Sequence, residues 1–419
     1  MNIGFVGTRL AGVDGVSLET QKMAQVFEEM GHSTFYCAGE LDVHAQPGYL
    51  VPGMHFQHAT AQRLHDAAFG SIVPDATLFR ELYAEADKLR AELETFVSRY
   101  DIDLVVPQNA LTIPMNISLG LAITELVKRT RIRTLAHHHD FYWERNRFIA
   151  NRIQDVLNEA FPPKLDPVQH MVINRAMQQR LKAFKGINAL YLPNVFDFEN
   201  APPPPDNYAM TFRGEIGLSE DDLIVLQPTR IVRRKGIELA IELMRQLDDP
   251  RLVLVITGYE GDEAGAYGES LRRQAEQAGI RYRFIGAQVG TERGEVEGKR
   301  VYDLWDVYPH AHIVTYPSLY EGFGNALLET VYFRKPLVLN TYPMYLTDIQ
   351  PAGIRAITFN QDINQDTVLA TRNLIDDASQ RQDMTTHNYE VGLEHFSYRV
   401  LRRVLTEALR LFDSHEGLQ

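Results

Sequence analysis

Cysteine is almost missing from this chain. Cys37 is the single one in 419 residues, so no disulfide can close within the chain and no cysteine cluster can hold a metal. An excess of positive charge is missing too: 42 lysines and arginines stand against 55 aspartates and glutamates, a formal net charge of −13. A nucleic-acid binder draws its affinity mainly from Lys and Arg neutralising phosphates, which argues against that class. An anionic small molecule, needing only a local basic pocket, remains open. No run approaches the ~18 consecutive apolar residues of a membrane span. The opening MNIGFVGTRL has no basic n-region and too short an apolar run for a signal peptide. A cytoplasmic location is the expectation. Solenoid repeats and low-complexity tails are likewise absent.

What is present is an alternation of short apolar runs with longer helical patterns. Strands are expected at Asn2–Val6, Ser33–Cys37, Leu104–Pro107, Thr134–His137 and Ala189–Leu192 in the first half. In the second half they are expected at Leu223–Leu226, Leu252–Thr257, Tyr282–Ile285, Ile313–Tyr316, Leu337–Asn340 and Arg355–Thr358. Unbroken apolar strands, each followed by a helix, indicate parallel sheets covered on both faces. The pattern restarts after APPPPD, a stiff proline run suited to a linker. Two doubly wound α/β domains are expected: residues 1–200, a linker at 201–215, and 216–390, with a last helical segment at 391–419. In such sheets ligands bind at the carboxyl ends of strands, so motifs just after strands carry the weight.

One such motif is YPSLYEGFGNALLE, residues 316–329. Gly322 and Gly324 lie in the strand-to-helix turn, where glycine permits unusual backbone angles and close ligand approach. N–H groups near Gly324 and Asn325 would face an anion at the helix start. Glu321 precedes the helix and Glu329 lies more than a turn inside it, so they could bracket a ligand, each suiting a vicinal diol. They could equally be a helix cap and a solvated acid, or a glycosidase pair.

A phosphate site elsewhere separates these readings. VLQPTRIVRRKGIELAIELM places Arg230 and Lys235 in the turn between a strand and an amphipathic helix. Arg offers a planar fork to phosphate oxygens and Lys a mobile point charge. Arg233 and Arg234 are expected to be solvated.

R-x4-K-G followed by E-G-F-G-x4-E closely resembles the retaining glycosyltransferases of family 4, which have the two-Rossmann GT-B architecture with domains facing a cleft. The resemblance covers nearly the whole chain and is most specific in the C-terminal half. It implies that Arg230 and Lys235 bind the donor diphosphate, Glu321 the hexose hydroxyls and Glu329 the ribose. Backbone N–H groups of the loop Phe323–Asn325 would serve phosphate or sugar. It implies a nucleotide-diphosphate sugar donor, GDP- or UDP-hexose, no required cofactor or metal, and a last helix (Tyr398–Phe412) crossing back onto the N-terminal domain. After Glu329, however, TVYFRKP stands where the family usually has Ala-Met-Ala and a Gly-Pro pair. AQVGTERGEVEGKRV is also longer than a base-binding turn needs.

On the acceptor side, GTRLAGVDGVSLET has no G-x-G-x-x-G, which counts against an NAD-dependent oxidoreductase. The resemblance makes Gly12–Gly15 a loop near donor phosphate and acceptor. LAHHHDFYWERNRF holds three consecutive histidines at a strand end, but neighbours in an extended segment point to alternating sides, a poor metal cage. A capping histidine with solvated neighbours is the plainer expectation. The resemblance makes His139 the residue facing the donor sugar, with His138 next in line. His138, Asp140, Glu144, Arg145 and Arg147 could line an acceptor pocket, the arginines suiting an acidic acceptor. The stretches HHHDFYWERNRF and YFRKPLVLNTYPMYLTDI resemble soluble members making small glycosides, such as those of glycerate. A lipid acceptor at a membrane surface is the rival, favoured by the basic cluster Lys128, Arg129, Arg131 and Arg133. A nucleotide-sugar binder without turnover is the alternative outside the class.

Overall fold

The computed structural model describes residues 1–416 apart from 13, 43, 74 and 259–264, with backbone alone for 414–416. The chain divides into two compact units.

The first unit comprises Met1–Val195 and the final helix, Tyr398–Glu416. Its sheet holds β1 (Asn2–Gly7), β2 (Ser33–Ala38), β3 (Gly48–Leu50), β4 (Leu104–Pro107), β5 (Arg133–His138), β6 (Val168–Val172) and β7 (Leu190–Tyr191). They run parallel in the order β3-β2-β1-β4-β5-β6-β7. β1 and β4 are apolar at nearly every position and buried, as strands covered on both faces must be. Helix Gly15–Glu29 covers one face, started by Asp14, whose carboxylate accepts from the Val16 and Ser17 N–H groups. The final helix lays Leu401, Leu405, Ala408 and Phe412 into the same cluster as Phe5, Met23 and Phe27. An Arg402–Glu29 ion pair borders that contact.

The second unit spans Phe196–Ser397. Its main sheet contains β8 (Leu223–Gln227), β9 (Leu252–Ile256) and β10 (Tyr282–Phe284). β11 (Gly294–Val296) and β12 (Lys299–Val301) form a separate antiparallel hairpin. β13 (Ala311–Tyr316), β14 (Leu337–Asn340) and β15 (Ile357–Phe359) complete the main sheet, which runs β10-β9-β8-β13-β14-β15, all parallel.

Each expected strand has a counterpart; β3, β6 and the hairpin were not foreseen. β6 reads VQHMV and the hairpin GEV and KRV, too polar to stand out as apolar runs. The division between units lies at Val195/Phe196, ahead of the proline run. Residues 207–215, expected within a linker, form short helices at Asn207–Met210 and Phe212–Glu215. Asp206 caps the first of these and pairs with Arg293 at 2.7 Å, which ties the segment to the hairpin region.

In each sheet the first strand has neighbours reached by opposite routes, β1 between β2 and β4, β8 between β9 and β13. Helices leave such a switch point toward opposite faces, opening a crevice at the carboxyl ends. Among the described residues no helix is long and apolar enough to cross a membrane. The basic cluster is not a free patch either. Lys128 pairs with Glu125 and Glu159, Arg129 with Glu125, Arg131 with Asp166 and Arg133 with Asp413.

Candidate functional site

At the switch point of the second sheet, β8 leads into a turn ending in a single 3-10 turn, Arg233–Lys235. Gly236 closes it at φ +58°, and a Cβ there would lie 2.5 Å from the Pro317 carbonyl oxygen. Only glycine meets both demands. That close approach joins the basic turn to the loop after neighbouring β13, as does the Leu319 N–H, which donates to the Arg234 carbonyl at 2.8 Å. Gly236→Ala should therefore cost about 1–2 kcal/mol from the left-handed backbone alone, before any clash. A calorimetric scan should show the transition several degrees lower; an unchanged one would contradict the geometry.

The two loops meet at Glu321, whose exposure is 7%. The Lys235 ammonium bonds its Oε1. An Arg234 guanidinium nitrogen donates to Oε2 at 2.9 Å and to the Tyr320 carbonyl at 3.2 Å. Lys235, at 8% exposure, also sits 5.6 Å from the centre of the Tyr316 ring. Burial would push the Glu321 carboxyl up, but Lys235 and Arg234 hold it below its ordinary value. Two contacts here were not expected from the sequence. Lys235 and Glu321, assigned to different parts of a donor, are bonded to each other. Arg234 pairs with Glu321 while 41% of its side chain stays exposed, and Arg233 lies over the Tyr267 ring at 5.1 Å. Arg230 is exposed on the same turn and has no side-chain hydrogen bond among the described residues.

The glycine loop is held as tightly. Gly324, at φ +125°, opens helix Asn325–Tyr332, and a Cβ there would meet the Tyr342 and Tyr316 hydroxyls at 2.8 and 3.0 Å. The Tyr342 hydroxyl donates to the Phe323 carbonyl at 3.0 Å. Phe323 itself is buried against Phe396, so it offers a ligand backbone and not its ring. Gly322 lies beside Glu321, and Asn325 is the first residue of the helix. Glu329 lies a turn further in, where the buried Tyr308 hydroxyl donates to it at 3.0 Å. Glu321 thus accepts from two cations, and Glu329 from the Tyr308 phenol.

The first unit gathers its own group at the ends of β1, β4 and β5. Gly12 (φ +76°) donates its N–H to Asp42 at 3.1 Å and has open space where a side chain would be. Gly15 begins the helix capped by Asp14, with similar open space. Burial would raise the Asp14 carboxyl, yet hydrogen bonds from Arg9 and Ser17 leave it below its usual value.

None of the three histidines caps a helix, and none is a solvated charge. His137 Nδ1 lies 3.0 Å from Gln108 Oε1, and His138 Nε2 lies 2.9 Å from His170 Nδ1. Burial pushes His139 and His170 down to about 4, and His137 and His138 well below their ordinary value. All are therefore neutral near pH 7. His138 has 0% exposure, which removes it from an acceptor pocket. The Nε2 of His139 is buried without a partner among the described residues.

Asn109, missed in the sequence, organises this corner. Its side chain accepts from the His139 N–H at 3.0 Å and the Thr112 hydroxyl at 2.9 Å, and donates to Asp140 at 2.9 Å. Its position just past β4, at the switch point, was the available signal. Asp140 also binds Arg145. Glu144 turns away to the Phe141 N–H and Arg180. Arg147 is exposed, lying over the Phe148 ring at 4.6 Å. Among the described residues no group of three or more His, Cys, Asp or Glu side chains is placed to hold a metal ion.

Residues 210–391 match the family described as glycosyl transferases group 1. The mannosylglucosylglycerate synthase of Petrotoga mobilis is 33% identical over 383 residues, covering 85% of this chain and 86% of that one. Its Thermotoga maritima counterpart is 30% identical over 440 residues, covering 97% and 99%. Among solved structures, a glycosyltransferase from Rickettsia africae superposes with a TM-score of 0.69 at 13% identity, covering 98% of each chain. Anabaena HepE, solved with UDP and glucose, gives 0.68 at 14%, covering 98% and 99%. At such identities these structures speak for the fold, the paired Rossmann-like sheets of GT-B proteins.

Proposed function

The chain belongs to the group 1 glycosyltransferases, and from that premise we propose that it is a retaining hexosyltransferase acting on a glycerate-type glycoside. The donor is a nucleoside-diphosphate hexose of the GDP-mannose or UDP-glucose type, taken by the second unit. The acceptor, a small acid such as glucosylglycerate, is taken by the first. The observation that carries this reading is the Lys235–Glu321–Arg234 cluster at the switch point of the second sheet, which sets cations beside a carboxylate. That pairing suits a ligand whose phosphates adjoin hydroxyls.

In this reading Arg230 and Lys235 stabilise charge growing on the departing diphosphate. Glu321 accepts hydrogen bonds from the hexose hydroxyls and Glu329 from the ribose. Gly322 and Gly324 let the donor approach, and the backbone from Phe323 to Asn325 faces phosphate or sugar. Gly12 and Gly15, with open space at their α-carbons, leave backbone accessible to a ligand in the first unit. The acceptor hydroxyl attacks the anomeric carbon on the face the diphosphate leaves, and its proton passes to the leaving oxygen. His139, neutral at pH 7, adds no charge to the reacting centre. Asp140, Arg145 and Arg147 receive the acceptor, the arginines matching its carboxylate. No metal is needed for the leaving group, since protein cations stand in that place.

Incubation with GDP-mannose or UDP-glucose and glucosylglycerate, followed by NMR of the new glycosidic bond, tests this directly. Retention of the donor's anomeric configuration is expected; inversion, or no transfer from any such pair, overturns it. Glu329→Ala should also weaken the free nucleoside diphosphate. A hydrogen bond to a charged group is worth about 1.5–3 kcal/mol, or roughly 10- to 150-fold in affinity. Titration calorimetry showing equal affinity would remove Glu329 from the ribose.

A further inference from the structure

We propose that Arg234 is a positioning residue for the transfer reaction: it retains Glu321 when the donor diphosphate draws Lys235 away. The proposal rests on the reading of this site as one for a nucleoside-diphosphate sugar. Its basis is an unequal division of one carboxylate between two cations. Oε1 accepts from Lys235, and Oε2 from Arg234.

The two cations differ in how they are tethered. Lys235 carries a point charge on a flexible four-carbon stem and lies 5.6 Å from the centre of the Tyr316 ring. Arg234 is fixed twice more, through its guanidinium to the Tyr320 carbonyl at 3.2 Å and through its own carbonyl to the Leu319 N–H at 2.8 Å. A diphosphate carries more charge than a carboxylate, so it outcompetes Glu321 for the mobile ammonium. The planar fork of Arg234, anchored to the same loop as Glu321, does not follow.

Without Arg234 that exchange would strand Glu321. The groups facing it are Lys235 and Arg234 from the basic turn, Tyr316 from β13 and Tyr342 beyond β14, with Arg230 acting on Lys235. The tyrosines are buried and neutral, so no second cation replaces Arg234. A buried carboxylate stripped of its cations takes up a proton. A protonated Glu321 has lost part of its capacity to accept sugar hydroxyls.

The experiment is titration calorimetry of GDP and UDP with wild type, Arg234→Gln and Arg234→Lys. Each is run near pH 6 and pH 8 in buffers of different ionisation enthalpy. Near pH 6 wild type should release part of a proton as the terminal phosphate of the nucleotide ionises, and near pH 8 it should exchange almost none. Relative to wild type, Arg234→Gln should take up as much as one more proton per nucleotide, and its affinity should fall by up to ~10-fold more per pH unit as pH rises. Its turnover at saturating donor should drop, and Arg234→Lys should restore turnover and abolish the extra proton uptake. A merely structural role would move stability but not proton linkage. Nucleotide binding by Arg234→Gln with no extra proton uptake and unchanged turnover overturns the assignment of Arg234 and leaves the site reading intact. Failure of wild type to bind either nucleotide overturns the site reading, and this proposal with it.

Discussion

Lys235→Ala is expected to reduce turnover at saturating donor by roughly 10²–10³, the usual effect of losing one charge-assisted contact to developing negative charge, about 2.7–4 kcal/mol. Donor affinity should fall less, because the ammonium matters most as the glycosidic bond breaks. A donor with a much better leaving group should be less impaired, since less charge needs stabilising. The Lys235–Glu321 pair is buried on both sides, so the variant also leaves Glu321 with Arg234 alone. Circular-dichroism melting therefore accompanies the kinetics, separating lost folding from lost chemistry. A folded variant that turns over at the wild-type rate with saturating donor would reduce Lys235 to a binding residue.

The second large effect belongs to Glu321→Gln, which keeps the volume and removes the charge. Two charge-assisted hydrogen bonds to hexose hydroxyls, at about 1.5–3 kcal/mol each, predict a loss of roughly 10²–10⁴ in kcat/KM. The ion pair adds a sign that would otherwise be invisible. With its carboxylate gone, Lys235 no longer has to leave a partner before meeting a diphosphate. The free nucleoside diphosphate should therefore bind as well as to wild type, or more tightly. Parallel titrations of Glu321→Gln and Glu329→Ala decide it. If both lose nucleotide affinity equally, the two acids do not divide sugar from ribose.

Much of this architecture was legible in the sequence because its signals are local. The apolar runs of β4, β8, β9 and β14 need no partner to be recognised, and the glycines at 236 and 324 mark turns that few other residues could make. The spacing of R-x4-K-G and E-G-F-G-x4-E likewise survives without coordinates. Weak strands such as β6 and the β11–β12 hairpin were not legible. Their residues are mixed in polarity, and they become strands through pairing, β6 with β5 more than thirty positions earlier and β11 with its neighbour β12.

Sequence by itself determined the α/β class, the place of the basic turn and glycine loop after their strands, and membership of a glycosyltransferase family. Only the tertiary structure decided which charges meet. Arg234 and Glu321 lie 87 positions apart, and nothing local distinguishes Arg234 from Arg233. Their pairing follows because β8 and β13 are sheet neighbours, which sets the two loops side by side. The histidines obey the same logic: an HHH triplet reads as polar, yet burial beneath neighbouring strands discharges all three rings. Burial and ion pairing depend on what surrounds a side chain in space, and those surroundings come from parts of the chain far away in sequence.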